Sequence, residues 1–263
     1  MRKKAIHILL WGYGKVSKNI FHVLKKNPSF SLRVYSRHLL AENKKHSIPL
    51  YDIRKDEDYK PDAIWVLSKD DEINRNISWL NLKFPGTLFI SSSAIINVTD
   101  REKENIYTCT LYPLATFNEQ KLLKSFCDIP LLIEKRNNLP VNHQKIIKEI
   151  IKTLEARVYD ISYEDRCKLH LAAVILNNFT TAFAHVAYEV AGSNRKILYP
   201  ILEQTIQNLK NHNPEDIITG PATRDDVFTI KKHIRIISAY PGARRMYIAM
   251  TRYIQSFFKK DEV

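Results

Sequence analysis

An α/β half built on a mostly parallel sheet, followed by an all-helical half, is the architecture predicted by three features of this 263-residue sequence. Short apolar runs bounded by turn residues alternate with helical patterns in the first part of the chain, which is the signature of a sheet covered on both faces. A glycine-rich turn separates the first run from the first helix. Beyond about Ile161 only helical periodicity remains. At roughly 150 residues per domain the length suits two domains, here 1–160 and 161–263.

In order, Lys4 to Trp11 reads as an apolar strand closed by Gly12. From Lys15 to Lys26, Val16, Ile20, Phe21, Val23 and Leu24 recur at helical spacing until Asn27-Pro28 ends the helix. Ser31 to Ser36, Ala63 to Leu67 and Thr87 to Ile90 are further strands, the last two introduced by Pro61-Asp62 and Pro85-Gly86. Between those two, Ile73, Ile77 and Leu80 mark a helix over 71–82. Strands at Ile106 to Leu111 and Leu131 to Glu134, a helix at Val141 to Leu154 and a short strand around Arg157 to Tyr159 complete the first half. Helices then follow at Arg166 to Val190, Arg195 to Leu209, Arg224 to Ser238 and Ala243 to Phe258, punctuated by Gly192-Ser193, Asn213-Pro214, Thr219-Gly220-Pro221 and Tyr240-Pro241-Gly242.

With 44% hydrophobic and 26% charged residues the chain excludes disorder, collagen-like sequence and coiled coil as whole-chain readings. Three scattered cysteines form neither a disulfide framework nor a CxxC metal site, so no metal is expected and a reducing, cytoplasmic compartment fits. The basic start runs into an apolar stretch too short for a secretory core. Leu169 to Tyr188 has spanning length but contains His170, Asn177, Asn178, Thr180, Thr181 and His185, so it reads as a buried soluble helix and not as a membrane segment. The net charge of +13 is spread in pairs such as Lys25-Lys26 and Arg244-Arg245. It describes a lysine-rich solvated surface with no nucleic-acid motif behind it.

The clearest motif is Gly12-Tyr13-Gly14-Lys15-Val16-Ser17, a GxGxxG with serine in the third small position, placed between strand and helix as dinucleotide binding requires. Gly12 permits the tight turn, Gly14 lets backbone N–H groups approach a pyrophosphate, and Ser17 supplies the small side chain for helix–strand packing. At the end of the second strand, where an acid would hold the ribose of NAD, stand Ser36-Arg37-His38 with no acid before Glu42. Ser36 and Arg37 therefore suit the 2′-phosphate of NADP, and NAD is the lesser expectation; a solvated strand end is the other reading of Arg37.

These residues resemble the nucleotide-binding Rossmann domain of the pyrroline-5-carboxylate reductase and 6-phosphogluconate dehydrogenase superfamily. The second half resembles the helical domain of unknown function 2520 found in a group of oxidoreductases. Tyr112-Pro113-Leu114 with Thr116-Phe117, the helix from His170 to Phe179, and Thr219-Gly220-Pro221-Ala222-Thr223-Arg224-Asp225-Asp226 carry the resemblance. It implies cofactor contacts at Gly12, Tyr13, Gly14, Lys15, Val16, Ser36, Arg37 and Ser92, and a substrate site using His170, Asn178 or Asn177, and Arg224. Tyr112 stands where the family usually has histidine. The Lys-x-x-x-Asn of many dehydrogenases is missing, because Ala173 and Val174 lie four positions before Asn177 and Asn178.

On a helix stepping about 100° per residue, Asn177 and Thr181 fall near His170 and Asn178 is turned away. Geometry thus favours Asn177 and the family register Asn178. The polar stripe suits either substrate contact or helix packing. In the Gly-Pro turn, Asp225 or Asp226 suits the N-terminal dipole of the next helix, whereas Arg224 is free to meet an acidic substrate or an acid such as Asp226 or Asp165. The resulting expectation is an NADP-dependent oxidoreductase moving a hydride between nicotinamide and a small carbonyl, imine or alcohol compound in an interdomain cleft, with His170 as acid because imidazoles titrate near neutrality. The alternative is a non-catalytic nucleotide-binding sensor or scaffold. Apolar stripes at Ile197, Ile201, Leu202, Ile206 and Leu209, and along the last helix, suggest a homodimer through the helical half, as the resembling reductases pair.

Overall fold

Alternation along the first strand assigns the two faces of a central sheet. In β1 (Ile6–Trp11), Ile8 and Leu10 join one buried cluster and Leu9 and Trp11 the other. The computed structural model describes residues 5–42, 47–98, 106–134 and 139–258; Lys4, where the first strand was expected to begin, lies outside them. The strands β2 (Phe30–Tyr35), β3 (Ala63–Val66), β4 (Leu88–Ser91), β5 (Tyr107–Pro113), β6 (Pro130–Ile133) and β7 (Arg157–Asp160) complete a seven-stranded sheet in the order β2-β1-β3-β4-β5-β6-β7. β1 to β5 pair in parallel, β6 runs antiparallel to β5, and β7 is parallel to β6. All four residues of β3 and of β4 are buried, as strands covered on both faces must be.

One face is covered by α1 (Lys15–Leu24) and α4 (Val141–Leu154), whose Ile20, Leu24, Ile147 and Ile150 pack against Ile8, Leu10 and Trp65. The other is covered by α3 (Asp70–Lys83) through Ile73, Ile77 and Leu80, each contributing roughly 1.5–3 kcal/mol by burial. A short helix, α2 (Arg37–Ala41), follows β2 where no helix was expected; Ser36 caps it. The strand order reverses at β1, which has β2 on one side and β3 on the other. In such sheets the crevice for ligands opens at the carboxyl ends of the strands beside that point.

After β7 the chain is helical from Tyr163 to Asn211: α5 (Tyr163–Val174), a π turn (Ile175–Phe179), α6 (Thr180–Ala191), a 3-10 stretch (Gly192–Leu198) and α7 (Tyr199–Asn211). Gly192, with φ +56°, tightens the helix into 3-10 geometry where the sequence suggested a break. The remaining helices are α8 (Pro214–Ile217), α9 (Val227–Ile236) and α10 (Pro241–Phe258). α9 starts three residues later than expected from Arg224, because Asp225 is left-handed (φ 52°) and Asp226 caps the helix, its carboxylate accepting from Thr229 N–H at 3.0 Å.

Two compact units emerge, Met1–Val174 and Ile175–Val263. The change of texture near Ile161 marks the end of β7, but α5 stays with the first unit through Arg166. This guanidinium, wholly buried, donates to Ala94 O and Ile96 O at 3.1 Å each and to Glu134 Oε2 at 2.6 Å. The stretch Tyr163–Asn211 is long and apolar enough to cross a membrane by length and composition alone. The expectation that Leu169 to Tyr188 is buried is not met: every residue there is exposed or half-exposed, because an apolar stripe reports a need for cover and not what supplies it.

Candidate functional site

The glycine turn is built as the motif requires. Gly12 has φ +116°, and a Cβ on it would stand 2.5 Å from Leu67 O, so the approach of β3's end to the turn admits only glycine. Its N–H donates to Tyr35 O at 2.9 Å, fixing the turn to the end of β2. Gly14, the N-cap of α1, has an ordinary φ of −86°, and a Cβ there would meet nothing within 4 Å. Packing within the chain therefore does not ask for glycine at this position; close approach of a phosphate to the backbone does. The first turn of α1 has no acidic residue, whereas that of α3 has Asp70, Asp71 and Glu72. The positive end of α1 is thus left for an anion, and that of α3 is neutralised by its own side chains.

The motif's side chains divide. Ser17 is wholly buried, as the third small position demands. Val16 packs on the core beside Tyr13, whose ring meets Phe21 edge-on at 6.1 Å and whose phenol is pushed up by burial. Lys15 is exposed at the start of α1. Of the four, only Lys15 presents its side chain fully to solvent, so any ligand held here is held mainly by backbone.

Beside the turn lies a cleft of about 640 Å³ walled by Trp11, Gly12, residues 35–38, Ile53, residues 67–69 and one face of α3. Trp11 stacks on Tyr35 with centroids 3.7 Å apart, and Trp79, 46% exposed, leans on Trp11 at 5.8 Å. Glu72 Oε1 lies 3.6 Å from both Arg37 and Arg75, so one carboxylate holds two guanidinium groups at the mouth. Ser36 Oγ accepts from Leu39 N–H at 3.4 Å, in keeping with its capping role. Sequence reasoning anticipated Gly12, Ser36 and Arg37 here and missed Lys69, Arg75 and Trp79. The spacing of Arg75 and Trp79, three and seven residues past Glu72 on one helix face, was the available signal.

A second group is linked by hydrogen bonds at the carboxyl ends of β3, β4 and β5. Trp65 Nε1–H donates to Ser92 Oγ at 2.9 Å, and the Ser92 hydroxyl donates to Leu111 O at 2.7 Å. Ser92 thereby ties three strands together. Next to Leu111, Tyr112 Oη and His170 Nδ1 are 2.9 Å apart. The Tyr112 phenol is pushed up by burial and, secondarily, by the charge of Asp70. Asp70 begins α3, directly after the cleft residues 67–69, so Tyr112 stands at the same edge of the sheet as the cleft.

In the second unit, Asn177 Nδ2 donates to Asn178 Oδ1 at 2.8 Å, and Thr181 Oγ1 donates to Asn177 O at 2.8 Å. Both asparagines lie in the π turn, where a constant 100° step no longer holds, so the geometric preference for Asn177 loses its premise. Arg224 is exposed; its charge helps hold the Asp226 carboxyl low, after the hydrogen bonds from Thr229. Among the described residues no group of three or more His, Cys, Asp or Glu side chains is placed to hold a metal ion.

Residues 130–254 match the model of the domain of unknown function DUF2520. This is the family that the His170–Phe179 and Thr219–Asp226 stretches resemble. No curated protein matches the chain. Among solved structures, a Bacteroides fragilis protein to which NADP oxidoreductase activity is ascribed is 26% identical, with a TM-score of 0.79 over 96% of this chain and 98% of that one. An imine reductase variant from Myxococcus stipitatus in complex with NAD+ is 14% identical (TM-score 0.61; 98% and 95% covered). The pyrroline carboxylate reductase of Plasmodium falciparum with NADP bound is 12% identical (TM-score 0.56; 95% and 98% covered). The last two show the shared fold. DUF2520 and these structures together bear out the kinship expected from the sequence.

Proposed function

We propose that this chain is an NADP-dependent oxidoreductase that moves a hydride between the nicotinamide and a small carbonyl, imine or alcohol compound. The observation that carries the reading is the cleft beside Gly12, with Arg37 and Arg75 at its mouth and no carboxylate at the end of β2. Backbone N–H groups of the glycine turn and the N-terminus of α1 hold the pyrophosphate. Arg37 and Arg75 pair with the 2′-phosphate, exchanging their shared Glu72 for a dianion. The exposed face of Trp79 offers the adenine a stacking surface. When bound, the dinucleotide supplies the hydride chemistry; the protein supplies orientation and a proton. The B. fragilis relative supports NADP in particular.

Calorimetry with NADPH and NADH tests this. NADPH binds the wild type more tightly than NADH, and Arg37→Asp removes most of the difference. Absence of binding of either nucleotide at millimolar concentration refutes the reading.

The helical half pairs with a second copy of the chain in aqueous solution. Leu176 is 71%, Phe179 51% and Ile197 75% exposed, and Ile201 and Phe228 are similarly uncovered, more apolar surface than a monomer ordinarily leaves to water. Light scattering decides: a mass near twice 30.7 kDa supports the dimer, and 30.7 kDa at all concentrations rejects it.

A further inference from the structure

We propose that Tyr112 is the proton donor of the reaction and that His170 is the positioning residue for its hydroxyl, an inference that rests on the oxidoreductase reading above. Three observations carry it. Tyr112 is near the carboxyl end of β5, two residues beyond the Thr110 that pairs with Ser91 at the end of β4, on the edge where the cleft opens. Its backbone is held firmly, because the carbonyl of Leu111 accepts from Ser92 and Ser92 in turn accepts from Trp65. Its hydroxyl meets the Nδ1 of His170, 58 residues away in sequence, with the two rings crossing at 78° so that the nitrogen faces the oxygen edge-on. Arg166 anchors α5 one turn before His170, which fixes the imidazole relative to β5.

The direction of that hydrogen bond decides what Tyr112 can do. With the hydrogen on Nδ1, the imidazole donates to Oη and the phenol's own hydrogen points elsewhere, available to a substrate. In the reductive direction the Tyr112 O–H bond breaks and an O–H or N–H bond forms on the carbonyl oxygen or imine nitrogen. The neighbouring carbon accepts the electron pair as hydride from the reduced nicotinamide named above. The phenolate left on Tyr112 is held by the Nδ1–H bond until the imidazole passes it that proton and regains one from water. Burial and the Asp70 charge keep the phenol protonated between turnovers. Tyr112 is thus a replacement acid, and the absence of the family's usual histidine at this position is no loss of proton-transfer capacity.

The test uses the full chain, NADPH, and a panel of small ketones and cyclic imines such as cyclohexanone and 2-methyl-1-pyrroline. Tyr112→Phe is expected to bind NADPH within about twofold of wild type, measured by calorimetry, and to turn over about 10²- to 10⁴-fold more slowly, the usual worth of a positioned acid. His170→Ala is the second variant: its lost rate is expected to be restored in part by added imidazole, a rescue that a merely structural role does not give. Tyr112→Phe turning over within threefold of wild type overturns the proposal while leaving the oxidoreductase reading intact, and so does a His170→Ala variant that imidazole does not rescue. A wild type that binds no NADPH, or binds it and reduces nothing on the panel, removes the oxidoreductase reading and this proposal with it.

Discussion

Replacing Arg166 by methionine keeps the aliphatic volume and removes the guanidinium from a site with no access to water. The loss has two parts. Breaking a buried ion pair by deleting one partner costs about 3–5 kcal/mol, because Glu134 Oε2, 2.6 Å from Nη1, is left without its counter-charge. The carbonyls of Ala94 and Ile96 each lose a donor at 3.1 Å, on the order of 1 kcal/mol apiece. At about 2–4 °C per kcal/mol for a domain of this size, the midpoint of thermal unfolding should fall by roughly 10–20 °C. Circular dichroism on the full chain measures it. The double variant Arg166→Met/Glu134→Leu should regain much of the loss, since two apolar side chains leave no charge uncompensated. A fall below about 3 °C in the single variant, or no recovery in the double, refutes the view that this pair secures α5 to the sheet. Arg166→Lys should lie between, keeping the charge and losing the three-way fork.

Gly12→Ala forces a side chain into a left-handed turn and against Leu67 O, so NADPH affinity should fall at least tenfold by calorimetry; unchanged affinity refutes the tight-turn argument. Glu72→Gln removes the charge that competes for Arg37 and Arg75, and NADPH should bind about two- to fivefold more tightly with NADH unaffected; equal gains for both nucleotides count against a 2′-phosphate site. His143 carries the pH prediction. Burial holds its imidazole below the ordinary 6.5, so between that lower value and 6.5 the unfolded chain binds more protons than the folded one, and stability falls as pH drops through this window. The urea midpoint should therefore be lower at pH 5.5 than at 7.5, with a smaller difference in His143→Phe; an identical difference in the variant clears His143 of the effect.

What the sequence determined alone is local. Strands β1 to β7 and helices α1, α3 and α4 lie within about two residues of where periodicity, prolines and glycines put them, because each is specified by contacts along a few turns of chain. The Gly12 turn was legible for the same reason: its dihedral demand and its place between strand and helix are both local. Tertiary structure decided everything that depends on partners distant in sequence. The antiparallel direction of β6, the pairing of Arg37 and Arg75 on Glu72, the buried fork of Arg166 and the meeting of Tyr112 with His170 join residues up to 72 positions apart. An isolated arginine or tyrosine carries no local mark of such a partner. The π turn at Asn177-Asn178 belongs with them, since a helical pattern read at constant pitch cannot show where the pitch changes. Burial was least legible of all: the apolar stripes from Leu169 onward are present in the sequence, yet whether they are covered depends on what packs against them, and within one chain they stay open to water.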